Sequence, residues 1–169
     1  MTRSEKTLAM RLLESQGIPF QMIAFPETIH DAPGVAAFAG LPPETVYKTL
    51  VVEVTDRGDR TLPGRPKPLL ILLAAHRTLD LRKTAAALGV KKVAMARQTE
   101  AERLTGLQVG GISALALLQR GFAIYLDEDA ILLDEFVVSA GKRGLNLRMR
   151  VDDFRRVTGA DWLDAGTPA

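Results

Sequence analysis

The sequence predicts a single α/β domain of mixed α+β character, in which one mixed β-sheet carries helices. Three observations point there. Helical and strand-like patterns are interspersed irregularly, with short hairpin-like spacings near both ends, unlike the regular alternation of a doubly wound fold. Leu69 to Ala75 is apolar without alternation, as suits a strand covered on both faces or central in a sheet. The chain of 169 residues fits one domain able to bury a hydrophobic core without staples, and it shows no internal repeat, low-complexity segment or linker.

Each element has its local signal. Ser4 to Gln16 reads as a helix, with Leu8, Leu12 and Leu13 at helical spacing, Ser4 as N-cap and Gly17 to end it. Ile18 to Phe25 alternates as a first strand. Pro26 to Gly34 is a loop carrying His30 and Asp31, and Val35 to Ala39 makes one or two helical turns closed by Gly40. Pro42-Pro43-Glu44 suits the first turn of a short helix delivering the chain to Lys48. Leu50 to Val54 is the second strand, and Thr55 to Pro68, rich in Gly, Pro and Arg, is an exposed loop before Leu69.

Asp80 caps a helix through Leu88, with Gly89 at its C-terminal end. Lys91 to Met95 is a short strand, and Gln98 to Thr105 a short helix stopped by Gly106. Phe122 to Leu126 and Glu135 to Ser139 are strands. Ala140 to Gly144 is a tight basic turn, Leu145 to Met149 the returning strand, and Asp152 to Thr158 the last helix. The core spans about residues 8–159, and residues 160–169 read as a frayed tail.

Composition excludes several chemistries. With no cysteine there is no disulfide, thiolate metal site or cysteine nucleophile, and two histidines, His30 and His76, argue against a histidine-built metal centre. No metal and no cofactor are expected. The charged N-terminus does not read as a signal peptide, and the longest apolar run is strand-sized, so a cytoplasmic protein without a membrane partner is expected. The formal charge is only +2, but cations gather at Arg57/Arg60/Arg65/Lys67, Lys91/Lys92, Lys142/Arg143 and Arg148/Arg150/Arg155/Arg156. On one face they would follow a phosphate backbone; dispersed, they are solvated surface charge.

Lys48 is the one charge in Val46-Tyr47-Lys48-Thr49-Leu50-Val51-Val52. A lysine entering a core-like strand either snorkels at the strand end or points into a cleft to meet an anion. Two loops share this ambiguity between plain turn and binding element. In Gly110-Gly111-Ile112-Ser113, glycines allow close backbone approach to a ligand and present N–H groups. In Ser139-Ala140-Gly141-Lys142-Arg143-Gly144, a hydroxyl and two cations rim a turn with two glycines. The glycine pair is too short for a dinucleotide fingerprint and lacks the Gly-Lys-Ser/Thr ending of a P-loop.

Taken in order with Leu79-Asp80-Leu81, Ala87 to Val93 and Ala101 to Gly106, these motifs resemble the YbaK family, over roughly Leu8 to Gly159. That family comprises free-standing relatives of the editing domain of bacterial prolyl-tRNA synthetase. The resemblance implies a curved mixed sheet with flanking helices. It also implies an aminoacyl-tRNA deacylase acting on mischarged tRNA, most typically tRNA(Pro) carrying cysteine or alanine, with prolyl-tRNA synthetase as a further partner. By the same analogy Lys48 anchors the substrate's end and Gly110, Gly111, Ile112 and Ser113 hold the aminoacyl group. Thr49 and Ser139 match pocket hydroxyls, Phe25 a pocket wall, and Lys142 and Arg143 tRNA phosphate contacts.

Two positions depart from the family pattern. Position 114 is Ala where the loop usually ends in proline, and Ala114 to Leu118 has high helix propensity. Asn146 stands where an acidic residue often follows the Gly-Leu of the basic turn. These departures keep a non-catalytic aminoacyl-tRNA or synthetase-binding module as the alternative. A serine hydrolase using Ser113 or Ser139 is disfavoured, since no Gly-x-Ser-x-Gly elbow exists.

Overall fold

The computed structural model describes residues 6–55 and 68–168. The cations at Arg57, Arg60, Arg65 and Lys67, and the cap expected at Ser4, lie outside the described residues. The first helix, α1 (Leu8–Ser15), is capped by Thr7, whose hydroxyl accepts the Met10 N–H; Ala9, Met10 and Leu13 form its buried face. A short strand β1 (Gln21–Ala24) follows. Helix α2 (Ala32–Ala39) starts three residues earlier than its apolar pattern suggested, because Asp31 caps it through the Gly34 N–H at 2.7 Å and Pro33 sits in its first turn. A 3₁₀ turn at Pro43–Thr45 leads into β2 (Tyr47–Val54).

Next come the fully buried β3 (Leu69–Ala74), the short β4 (Arg77–Leu79), α3 (Leu81–Leu88) capped by Asp80, β5 (Val93–Met95) and α4 (Gln98–Thr105). A 3₁₀ segment at Leu115–Arg120 occupies the stretch of high helix propensity after Ala114. The rest comprises β6 (Ala123–Asp127), β7 (Glu135–Lys142), β8 (Leu145–Arg150) and α5 (Val151–Thr158). The segment from Ala160 onward is no frayed tail. It forms β9 (Asp161–Leu163) and β10 (Gly166–Pro168), and Ala165 is wholly buried.

The strands divide into three groups where one sheet was expected. A mixed five-stranded sheet has the order β5-β2-β3-β6-β9, a three-stranded antiparallel sheet runs β1-β8-β7, and β4 pairs with β10. One parallel bridge, Val46 to Val137, stitches the first two together. The main core lies where α1, the 3₁₀ segment and α5 cover one face, with Phe136 packed edge-on between Tyr47 and Phe154, ring centroids 5.2 Å apart in both pairs. On the opposite face a second cluster joins Phe25, α2, Val46, Ala75 and Val137, and a third joins Val52, Ile71, Leu163 and Ala165. Among the described residues no helix is long and apolar enough to cross a membrane.

Candidate active site

The site originates in a gap along one edge of β2. On its other edge β2 pairs with β3 throughout, with Lys48 opposite Leu73 and Thr49 opposite Leu72. Among the described residues the open edge is bridged to β7 only at Val46 and meets the β5 side only from Val51, whose carbonyl accepts the Ala96 N–H. Val46 receives the Ala75 N–H, so ladder alternation aims the backbone groups of Val46, Lys48 and Leu50 at β3 and those of Thr49 into the gap. A cavity of about 470 Å³ fills this space. The start of α2, the Gly110 loop, and the β5–α4 connection with Met95, Gln98 and Ala101 wall it.

Pleat alternation distributes the side chains. Val46, immediately before β2, and Lys48 share a face with Val137 and Ser139 of β7, as the Val46–Val137 bridge requires, while Tyr47 and Val51 join the main core. Ser139 lies directly opposite Asn146 across β7 and β8. Lys48, Thr49, Gly110, Ile112, Ser139 and Asn146 all line the cavity.

Lys48 is half-buried, and its Nζ donates to the Arg77 carbonyl at 2.7 Å and, more weakly, to the Ala75 carbonyl at 3.5 Å. Among the described residues, two of its three donors are thereby engaged and one is left for a ligand. Burial lowers its pKa below the ordinary lysine value, and the nearby Asp31 carboxylate opposes that shift. Asp31 and His30 also line the cavity, which their loop assignment did not foretell. Tyr47 lines it as well; burial first, then Asp127 and Asp129, push its hydroxyl pKa upward, so it stays protonated.

The two glycine loops interlock. At Gly110, φ is +93°, and a Cβ would stand 3.1 Å from the His30 carbonyl oxygen. At Gly111 a Cβ would stand 2.8 Å from the Arg143 nitrogen and 2.9 Å from the Lys142 carbonyl carbon. The pair is thus sandwiched between the backbone leading into α2 and the β7–β8 turn. Arg143 Nε ties the layers by donating to the Val109 carbonyl at 2.7 Å. Gly111 supports the loop from behind and does not line the cavity.

Two other expected positions need correction. Phe25 is not a cavity wall; it is buried in the second cluster with the cavity-lining Ala32 and Val35. Ser113 is buried, its hydroxyl has no hydrogen-bond partner, and it does not line the cavity. Lys142 and Arg143 stand outside the cavity, with Arg143 committed to Val109. Ser139 Oγ accepts the Gly141 N–H at 3.1 Å, and among the described residues neither serine is hydrogen-bonded to a histidine. No group of three or more potential metal-ligating side chains occurs among the described residues.

Residues 26–157, which include every residue lining this cavity, match the aminoacyl-tRNA editing domain. The chain belongs to that family. It is 30% identical, over 96% of its own length and 94% of the relative's, to an Enterococcus faecalis protein provisionally named Cys-tRNA(Pro)/Cys-tRNA(Cys) deacylase EbsC. Among solved structures it resembles a hypothetical protein, APE2540, with a TM-score of 0.81 at 19% identity, covering 95% of this chain and 99% of that one. It also resembles a protein provisionally described as a trans-editing enzyme for prolyl-tRNA synthetase, with a TM-score of 0.74 at 23% identity and 95% coverage of both chains. The resemblance to the YbaK family and the mixed α/β fold are borne out, and the editing family is one of deacylases.

Proposed function

We propose that this editing-family protein is a trans-editing enzyme that hydrolyses the ester between a wrong amino acid and the 3′ end of tRNA(Pro), the amino acid being cysteine or alanine. The observation carrying this reading is the Lys48 ammonium, held at the cavity wall by two backbone carbonyls with one donor not engaged among the described residues, in the same cavity as a closely packed glycine loop. An ammonium so placed suits the phosphate or ester carbonyl at the end of an aminoacyl-tRNA. The Gly110 loop and the Thr49 backbone offer main-chain groups to the aminoacyl moiety. An aminoacyl ester is already activated, so orientation and stabilisation of the developing oxyanion suffice without a protein nucleophile. The cysteine assignment draws on the name of the Enterococcus relative. Lys142 and the exposed arginines would contact tRNA phosphates without reading bases, and acting on tRNA would place the protein in the cytoplasm, beside prolyl-tRNA synthetase.

A panel of mischarged tRNAs tests the proposal. Wild type should release cysteine or alanine from tRNA(Pro), and Lys48→Ala should not. Asn146 supports a second reading, because the carboxylate that often stands there in the family is gone from the cavity wall. If neither protein speeds release of any amino acid while both bind tRNA, the chain is a binding module.

A further inference from the structure

The carbonyls that receive the Lys48 ammonium belong to the β3–β4 connection and to β4, a three-residue strand whose sheet partner is the chain's last strand, with Arg77 opposite Pro168 and Leu79 opposite Gly166. Arg77 fastens that pairing. Its Nη2 donates to the Gly166 carbonyl at 2.7 Å, and its Nε lies 3.1 Å from Asp129 Oδ2 and 3.7 Å from Asp127 Oδ2, an ionic contact without hydrogen-bond alignment. Asp127, 1% exposed, accepts the N–H groups of Ala165 at 3.1 Å and Gly166 at 2.9 Å. Lys83 Nζ adds a second donor to the Gly166 carbonyl at 2.8 Å and pairs with Asp164. Gly166 presses so closely that a Cβ would stand 2.6 Å from Leu73 and 2.7 Å from the Arg77 Nε, and Leu73 is the cross-strand partner of Lys48.

Burying a carboxylate such as Asp127 beside a largely buried guanidinium is rarely the cheapest way to stabilise a fold, since apolar side chains of similar volume do as well. A cluster that fixes the backbone under a functional ammonium has another use. We infer that Arg77 is a positioning residue. Clamped between Asp127, Asp129 and the Gly166 carbonyl, it sets the place of its own carbonyl and hence the direction in which Lys48 Nζ meets the substrate. The C-terminal strand is thereby part of the site's machinery. The inference rests on the reading of Lys48 as the substrate anchor.

Its test has two arms. In the first, proton exchange of the Lys48 ammonium is followed by ¹⁵N-resolved spectra at mildly acidic pH and low temperature, in wild type, Arg77→Met and Asp129→Asn. Both variants should exchange faster, Arg77→Met the more so, while Glu14→Ala at an exposed position of α1 should match wild type. In the second arm, Arg77→Met should lower kcat/KM for deacylation by up to about 100-fold, the order expected for a displaced catalytic group, and Asp129→Asn should lower it less. Should Arg77→Met fail to fold, Asp129→Asn loosens the same clamp from an exposed carboxylate and must move both readouts in the same direction. Unchanged ammonium exchange, or a wild-type kcat/KM in Arg77→Met, would overturn the inference. Absence of deacylation in every protein, with the exchange effect intact, would instead overturn the editing reading.

Discussion

Three alanine substitutions dissect the glycine sandwich, because the three sites differ in what opposes a Cβ. Gly40, at the end of α2, has φ +66° and nothing within 4 Å, so Gly40→Ala meets only the backbone cost of a left-handed residue, ~1–2 kcal/mol. Gly111 has no such dihedral, but its Cβ would overlap the Lys142–Arg143 backbone, and overpacking of that kind costs about 1–3 kcal/mol. Gly110→Ala meets both obstacles, with backbone atoms of His30 at 3.1 and 3.3 Å, and should cost ~2–4 kcal/mol by adding the first range to part of the second. At roughly 2–4 °C per kcal/mol for a chain of this size, Tm should fall by about 2–8 °C for Gly40→Ala and ~4–16 °C for Gly110→Ala.

Activity separates the sites more sharply than stability does. Gly40→Ala should deacylate at the wild-type rate, whereas Gly110→Ala and Gly111→Ala move a cavity wall and should lose up to about 100-fold. Thermal denaturation and single-turnover deacylation measure the two effects. If Gly111→Ala keeps both wild-type Tm and wild-type rate, the loops do not interlock as described. If Gly40→Ala costs as much as Gly110→Ala, the close approach to His30 carries no weight.

Two further predictions concern buried charge. Lys48→Met should abolish deacylation without lowering Tm near neutral pH, since it removes an ammonium whose burial the fold disfavours. The folded pKa lies below 10.5, so the unfolded chain binds more protons as pH approaches that value from below, and wild-type stability gains from rising pH where Lys48→Met does not; Tm measured across that range should show the difference, and a Tm lowered at neutral pH would make Lys48 a structural residue. Asp127→Ala leaves the Ala165 and Gly166 N–H groups and the Arg77 guanidinium without their buried partner and should cost about 3–5 kcal/mol in urea denaturation, while Asp127→Asn, which keeps an acceptor, should cost clearly less; equal losses would refute the role given to the carboxylate.

Elements with local punctuation were legible in the sequence. Helix α4 has the predicted bounds Gln98–Thr105, and Asp80 and Gly89 frame α3 as expected, because caps and left-handed glycines act within a few residues. Part of the cavity lining was legible too, since Lys48, Thr49, Gly110, Ile112, Ser139 and Asn146 lie in motifs of fixed order. What escaped depends on distant partners. The strands β4, β9 and β10 have three residues each, too few for a period, and the last is anchored by Asp127, nearly forty positions away. Asp31 signalled its cap by preceding Ala32-Pro33, but its approach to Lys48 is a tertiary fact. Phe25 and Ser113 sat in the right stretches of chain, yet both were packed inward, a choice that burial made and motif order could not reveal.

The open edge of β2 makes the cavity a window in a woven fabric more than a hole between movable side chains. Its two jambs are backbone pairings, the Val46–Val137 bridge and the Val51–Ala96 hydrogen bond, five residues apart along one strand, or ~17 Å at about 3.3–3.4 Å per residue. Neither jamb can move without breaking a strand pairing. The spacing of the opening along the strand is then a property of the frame, whereas the side chains at Met95, Gln98 and Ala101 set how much of that opening is filled.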